Sequence, residues 1–217
     1  MPADRSTGSA IPLPLKLIWT ACVLVWAPVY GRQYGAQNFL FFCDIGNFLI
    51  MLGLWLESPL IFSWQAVGLL AFQTLYAIDL IGAILSGRHA FGGTEYMFDP
   101  HISLLVRLLG LYHIVIPPLL LWAVRRLGYD GRGFKLQTLS LWIVVPINFF
   151  WRRGYNVNWA RGLGHEQHMV PAWIYLLAYL AVVPVVVYLP THLALRHWAG
   201  GKHGERKKTK AGEKGRM

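Results

Sequence analysis

Six apolar stretches, each close to the length that crosses a hydrocarbon core of about 30 Å, constrain this chain more than any other feature. They run from Pro14 to Tyr30, Asn38 to Leu56, Pro59 to Leu85, His101 to Val124, Leu136 to Trp151 and Pro171 to Leu193. The fifth is short and is interrupted by Pro146. The first contains "LIWTACVLVWAPVY", which has the look of a signal-peptide core. No small-x-small cleavage site follows it, so it reads as a span. The expectation is an all-α integral membrane protein: an N-terminal segment 1–13, a six-transmembrane-helix bundle over 14–195 and a disordered basic C-terminal tail over 196–217. Composition agrees, since 55% of residues are hydrophobic and 14% charged, more apolar than one soluble core requires.

The distribution of Lys and Arg sets the sidedness. The tail "RHWAGGKHGERKKTKAGEKGRM" carries much of the net charge of +10, and Arg125, Arg126, Arg132 and Lys135 lie in the loop between the fourth and fifth spans. Opposite them stand Arg32, Arg88, Arg152, Arg153 and Arg161. Both termini are therefore expected to be cytoplasmic. A basic tail directly after an apolar span suits anionic lipid headgroups, and no nucleic-acid partner is expected. Cys22 and Cys43 both lie in apolar stretches, which does not indicate a disulfide framework. The two longer loops, 86–100 and 152–170, fall on the outer side and are rich in Gly, aromatic and His residues, the loop type that carries function.

Polar and ionisable residues inside spans are costly and mark sites. Here they are Cys43 and Asp44 in the second span, Asp79 in the third, Arg107 and His113 in the fourth and Asn148 in the fifth. All but His113 fall in the outer half of the bilayer, as residues lining one cavity would. Helical spacing puts Cys43 and Asn47 on one face and Asp44 about 100° away, near the interface. Asp79 and Arg107, of opposite charge and similar depth, are expected to pair as scaffold.

A thiol beside an imidazole can perform acyl transfer: attack on an ester carbonyl, a thioester intermediate, then discharge to water or a second acceptor. Cys43 is the candidate nucleophile and His113 the candidate base, with Asn47 or Asn148 donating to the oxyanion or holding substrate. Membrane lipids would supply the acyl ester, and no cofactor is expected. The structural alternatives are that Cys43 is a small buried hydrophobe and that His113 bonds a carbonyl freed by Pro117. Two other functions compete. One is a non-enzymatic transporter or lipid-binding subunit with a polar cavity; the other is a metal-dependent membrane enzyme built on His165 and His168 of "HEQH".

Several motifs together resemble a family. They are "NFLFFCDI" at the second span, "FDPH" before the fourth, "LGLYHIVIPP" within it, and "PINFF" followed by "GYNVNW". This pattern looks like the YwaF-like bacterial integral membrane proteins and their animal relative, transmembrane protein 164, over the stretch from Asn38 to Leu193. The resemblance implies six helices around a membrane-embedded cysteine nucleophile and histidine, and a phospholipid acyltransferase or hydrolase activity. It places the nucleophile on Cys43, the base on His113, and the family's asparagines on Asn148 and Asn156. It also implies a bacterial inner membrane. The chain departs from the pattern in having Phe41 and Phe42 before the cysteine and Tyr155 then Asn156 in reversed order.

Overall fold

A computed structural model of the chain describes residues 9–151 and 156–199. These residues form helices, 3-10 turns and loops without strand. The helices are α1 (Leu13–Tyr34), α2 (Phe42–Leu56), α3 (Pro59–Ser86), α4 (Leu104–Leu109), α5 (Tyr112–Leu127), α6 (Arg132–Phe150) and α7 (Ala172–Ala199). Arg152, Arg153, Tyr155, residues 1–8 and the tail from 200 onward lie outside the described residues.

Five of these segments are long and apolar enough to cross a membrane: α1, α3, the α4–α5 run from Leu104 to Leu127, α6 and α7. Their outward faces carry large apolar side chains such as Leu24, Ile84, Trp142, Leu177 and Val186, all more than half exposed. A soluble surface does not leave that much contiguous hydrocarbon uncovered. The coarse expectation, a membrane protein built of helices, therefore stands.

The second span differs from its expected course. Instead of one helix from Asn38, a 3-10 turn (Ala36–Leu40) is followed by extended backbone at Phe41, and α2 begins only at Phe42. At 15 residues α2 is about 22 Å long, shorter than the hydrocarbon core. The sixth segment differs in the other direction, since α7 continues to Ala199, past the expected start of the tail. Pro184, which cannot continue the hydrogen-bond ladder, coincides with a π turn over Pro184–Tyr188 inside it. In the fourth segment helix starts at Leu104, capped by the Ser103 hydroxyl, and His101 remains in the preceding loop.

α3 is the central post. Ser58 caps its start by accepting from the Ile61 N–H, Pro59 opens its first turn, and Gly87 in the left-handed region ends it. α2, α5 and α6 all pack along it. Small residues set two of these approaches. A Cβ on Gly133 of α6 would lie 2.6 Å from the Ser63 carbonyl carbon of α3, and one on Gly46 of α2 would meet Leu69. The core is filled by Leu54, Phe62, Val67, Ile116, Leu120 and Leu141, among others, each essentially inaccessible.

One end of the bundle gathers four chain segments. The Glu57 carboxylate, at the turn between α2 and α3, accepts from the Ala10 N–H (2.8 Å), the Ile11 N–H (3.2 Å) and Lys16 Nζ (2.7 Å). Arg126 Nε, at the end of α5, donates to the Ala10 carbonyl (2.8 Å), and the Arg125 guanidinium lies 5.3 Å from the centre of the Trp198 ring at the end of α7. The start of α1 and the ends of α2, α5 and α7 therefore share one face.

Candidate functional site

The late start of α2 decides what surrounds Cys43. With Phe41 outside the helix, Cys43 and Asp44 both fall in the first turn of α2, not partway down a longer helix. The first N–H groups of a helix have no carbonyl within it to bond, and here the gap is filled from far along the chain. Asn158 Oδ1 accepts from the Phe42 N–H (2.9 Å), while Asn158 Nδ2 donates to the Leu40 carbonyl (2.7 Å). Asn158 and Trp159 adopt left-handed backbone (φ 53° and 56°), a conformation Asn tolerates better than most residues. Trp159 packs edge-on against Phe72, near the middle of the 28-residue α3. The loop after α6 thus reaches halfway down the bundle and holds the start of α2 there.

Asp44, which the sequence placed off the polar face and near an interface, is the buried centre of the group, at 2% exposure. Its Oδ1 accepts the Tyr112 hydroxyl (2.6 Å) and lies 3.7 Å from the Cys43 Sγ, so phenol and thiol converge on one oxygen. Its Oδ2 accepts from Asn38 Nδ2 (2.5 Å). The surrounding wall is aromatic: Trp26 meets Tyr112, Phe39 and Phe48 edge-on at 5.7, 5.5 and 5.4 Å between ring centres.

His113 follows Tyr112 directly, and its ring lies between two others, 4.1 Å from Tyr112 and 4.3 Å from Tyr76. Its Nδ1 is 2.7 Å from Gln73 Oε1. An amide oxygen only accepts, so Nδ1 carries the proton, and in the neutral ring Nε2 is the nitrogen left to act as a base. The carbonyl freed by Pro117 is not the partner of this ring. The hydrogen bond of Cys43 goes to Asp44 and that of His113 to Gln73, with Tyr112 linking the two groups.

The expected pairing of Asp79 with Arg107 does not occur. Asp79, with no exposure, accepts from the Phe91 N–H (2.6 Å) and the Gly92 N–H (3.1 Å), bonds the Thr94 hydroxyl, and meets His89 Nδ1 at 3.0 Å. Arg107 Nη1 donates to the Met97 carbonyl (3.3 Å). The two residues fasten opposite ends of the same loop, because a turn rich in unpaired N–H groups satisfies a buried carboxylate without Arg107. That loop also brings the Tyr96 hydroxyl to within 2.6 Å of the Tyr76 hydroxyl, next to His113.

The remaining candidates scatter. Asn47 is buried on α2, and its carbonyl accepts from the Trp19 indole (3.3 Å). Asn148 on α6 is 5% exposed, and neither of its amide atoms has a hydrogen-bond partner among the described residues. Asn156 closes its own loop, donating to the Gly162 carbonyl (2.6 Å) and accepting from the Arg161 N–H (2.9 Å). His165 and His168 are exposed, and among the described residues no group of three or more His, Cys, Asp or Glu side chains is placed to hold a metal ion. The sequence reading passed over Asn38, Gln73, Tyr112 and Asn158. Gln73 was open to the rule that selected Asp79, since a buried amide in a span also needs a reason; Asn158 had no local signal, because its role depends on a contact 116 positions away.

The chain matches no family model, and neither a curated protein nor a solved structure matches it.

Proposed function

We propose that this protein is a six-crossing membrane enzyme that transfers or hydrolyses the acyl group of a lipid ester, with Cys43 as the nucleophile. The observation that carries the reading is the Cys43 thiol in the first turn of α2, hydrogen-bonded to a buried carboxylate that Tyr112 and Asn38 hold in place. A nucleophile, a proton acceptor in reach and a group orienting the acceptor form the general arrangement of covalent catalysis. In the proposed sequence the thiol proton passes to Asp44 as sulfur attacks the ester carbonyl, and the C–S bond forms. The C–O bond then breaks, the departing alkoxide takes the proton, and the thioester is discharged to water or to a lipid hydroxyl. His113, with Nε2 unprotonated, is the further base, for the discharge step. The Phe42 N–H is taken by Asn158 and those of Asp44 and Ile45 by the Phe41 carbonyl, so the Cys43 N–H is the first-turn donor offered to the oxyanion.

Six crossings are supported by the shared end of the bundle, where α2 returns the chain to the end at which α1 begins. The basic groups at that end, Lys16, Arg125, Arg126 and Arg132, favour the cytoplasmic side, and the basic tail favours anionic headgroups. A ligand-binding or transport role is the second reading. It is favoured by Asn148, whose buried amide lacks a partner in the way a ligand contact would.

The test uses the Cys22→Ala protein, which leaves Cys43 as the single thiol. A long-chain lipid ester bearing a reporter on its acyl group should label this protein through a hydroxylamine-sensitive thioester. Cys43→Ala should abolish labelling, and Asp44→Asn should slow it about 10²-fold or more, the usual loss with a general base. Equal labelling of Cys43→Ala removes the enzyme reading.

A further inference from the structure

Beside the candidate nucleophile, at Phe42, lies a crevice separate from the polar group around Asp44. α2 and α6 both pack on α3 and leave a pocket of about 250 Å³ between them, with Phe42 and Ile45 on one wall and Ser140, Ile143 and Val144 on the other. Its floor is formed by Trp64 and Gln65 of α3, and Gln137 closes one end. From Val144 to Gln137 it follows two turns of α6, about 10 Å. Two contacts keep the helices in register around it. Gly133 sits against the backbone of Ser63 and Trp64, and Gly68 lies under the Gln137 amide, which itself donates to the Tyr188 hydroxyl (3.0 Å).

We infer that this crevice is a binding site for one acyl chain of a membrane lipid, entered beside Cys43 and ending at Gln137. The inference rests on the proposed acyl chemistry for its direction, since Phe42, which lines the crevice, is the residue preceding the nucleophile. Its occupant follows from its position. The pocket is continuous with the outward face of α6, where Leu139, Trp142, Ile143 and Ile147 are exposed on a helix apolar enough to cross a membrane. The medium at that face is hydrocarbon, and the walls are aliphatic and aromatic. Two amide side chains meet the crevice at its other end. Gln65 and Gln137 are buried there, and the Trp64 indole N–H has no partner among the described residues. Gln137 packs so closely on α3 that a Cβ on Gly68 would clash with its amide carbon, which closes the gap between α6 and α3 and gives the apolar path a defined stop. That makes the crevice a gauge of chain length.

Binding can be read separately from chemistry by using the Cys43→Ala protein in nanodiscs that contain a phosphatidylcholine with a diazirine midway along one acyl chain. After irradiation, mass spectrometry should place adducts on Ile45, Ile143 and Val144 in preference to Leu24 of α1, which is 67% exposed. Ser140→Trp fills the pocket and should lower the crevice adducts several-fold while leaving those on Leu24 unchanged. Ile143→Trp serves the same purpose if Ser140→Trp does not elute as a folded species. Adducts that merely follow exposure over α1, α6 and α7, and that neither substitution changes, overturn the site. Failure of Cys43 labelling with crevice adducts intact would remove the enzyme and leave a lipid-binding protein.

Discussion

A buried polar side chain is informative according to what answers it. Asp44 is answered three times, by a phenol, an amide and a thiol, and Asp79 by two backbone N–H groups with Thr94 and His89, so neither carboxylate is held by a Lys or Arg. Asn148 is answered by nothing among the described residues. An unsatisfied buried amide costs about 1–3 kcal/mol, and replacement by an apolar group of similar shape removes that cost. Asn148→Leu should therefore raise the midpoint of thermal unfolding in detergent, read by the loss of helical circular dichroism; a fall would mean that the amide is satisfied in the folded protein. The same residues show how far sequence carried the site. Burial of Asp79 and Asn148 was legible, because polar residues in apolar runs need a protein interior; that of Asp44 was not, since helical spacing set it near the interface. Nor were the partners. The spacing of Asp79 and Arg107 invited an ion pair, yet two successive N–H groups in the glycine-containing loop serve the carboxylate better than a long side chain on a separate helix, and no periodicity encodes that turn.

The 3-10 turn and extended residue before α2 are the element on which the site depends. The apolar run from Asn38 is continuous in composition, so hydropathy alone reads one helix and sets Cys43 within it. The break at Phe41 instead makes Cys43 and Asp44 first-turn residues, and a side chain from the loop after α6 caps the exposed N–H. Removal of an N-terminal cap costs about 1 kcal/mol. Asn158→Ala should lose about that much stability and, because the cap also fixes where α2 begins, should reduce ester labelling of Cys43 more than its stability loss accounts for. Labelling unchanged in Asn158→Ala would separate the loop from the site. At the far end of α2, Glu57 holds a left-handed backbone (φ 48°) while its carboxylate ties down the start of the chain. Lys16, then Ser9 and the Ala10 N–H, hold this carboxyl at about 2, below its ordinary range. A depressed carboxylate contributes stability that is present above its unfolded value near 4.3 and is lost as pH falls toward the folded value. The unfolding midpoint of the wild type should drop between about pH 4.3 and 2 more steeply than that of Glu57→Gln; parallel curves would show that the contacts do not favour the ionised form.

At the scale of the molecule, the short α2 and the long α3 are reconciled by a bundle that is uneven in depth. α2 returns the chain to the end where α1 begins, while its other end stops near the middle of α3, and the 3-10 turn and the Asn158 loop fill the space above it. That packing accounts for a polar centre enclosed by aromatic rings within an apolar bundle. It also makes the number of crossings a sharp question. The ties from Glu57 to Ala10 and Ile11, and from Arg126 to Ala10, place the α2–α3 turn, the start of α1 and the end of α5 together. In the six-crossing proposal α2 crosses, so that Glu57 and Ala10 face the same side of the membrane. Single-cysteine variants in a Cys22→Ser, Cys43→Ala background test this in intact cells with a membrane-impermeant maleimide. Pro59→Cys and Gly131→Cys should react only after permeabilisation, whereas Arg88→Cys and Met169→Cys should react directly. Direct reaction of Pro59→Cys together with Met169→Cys would mean that α2 fails to cross, and would separate the site from the sidedness on which its access to lipid depends.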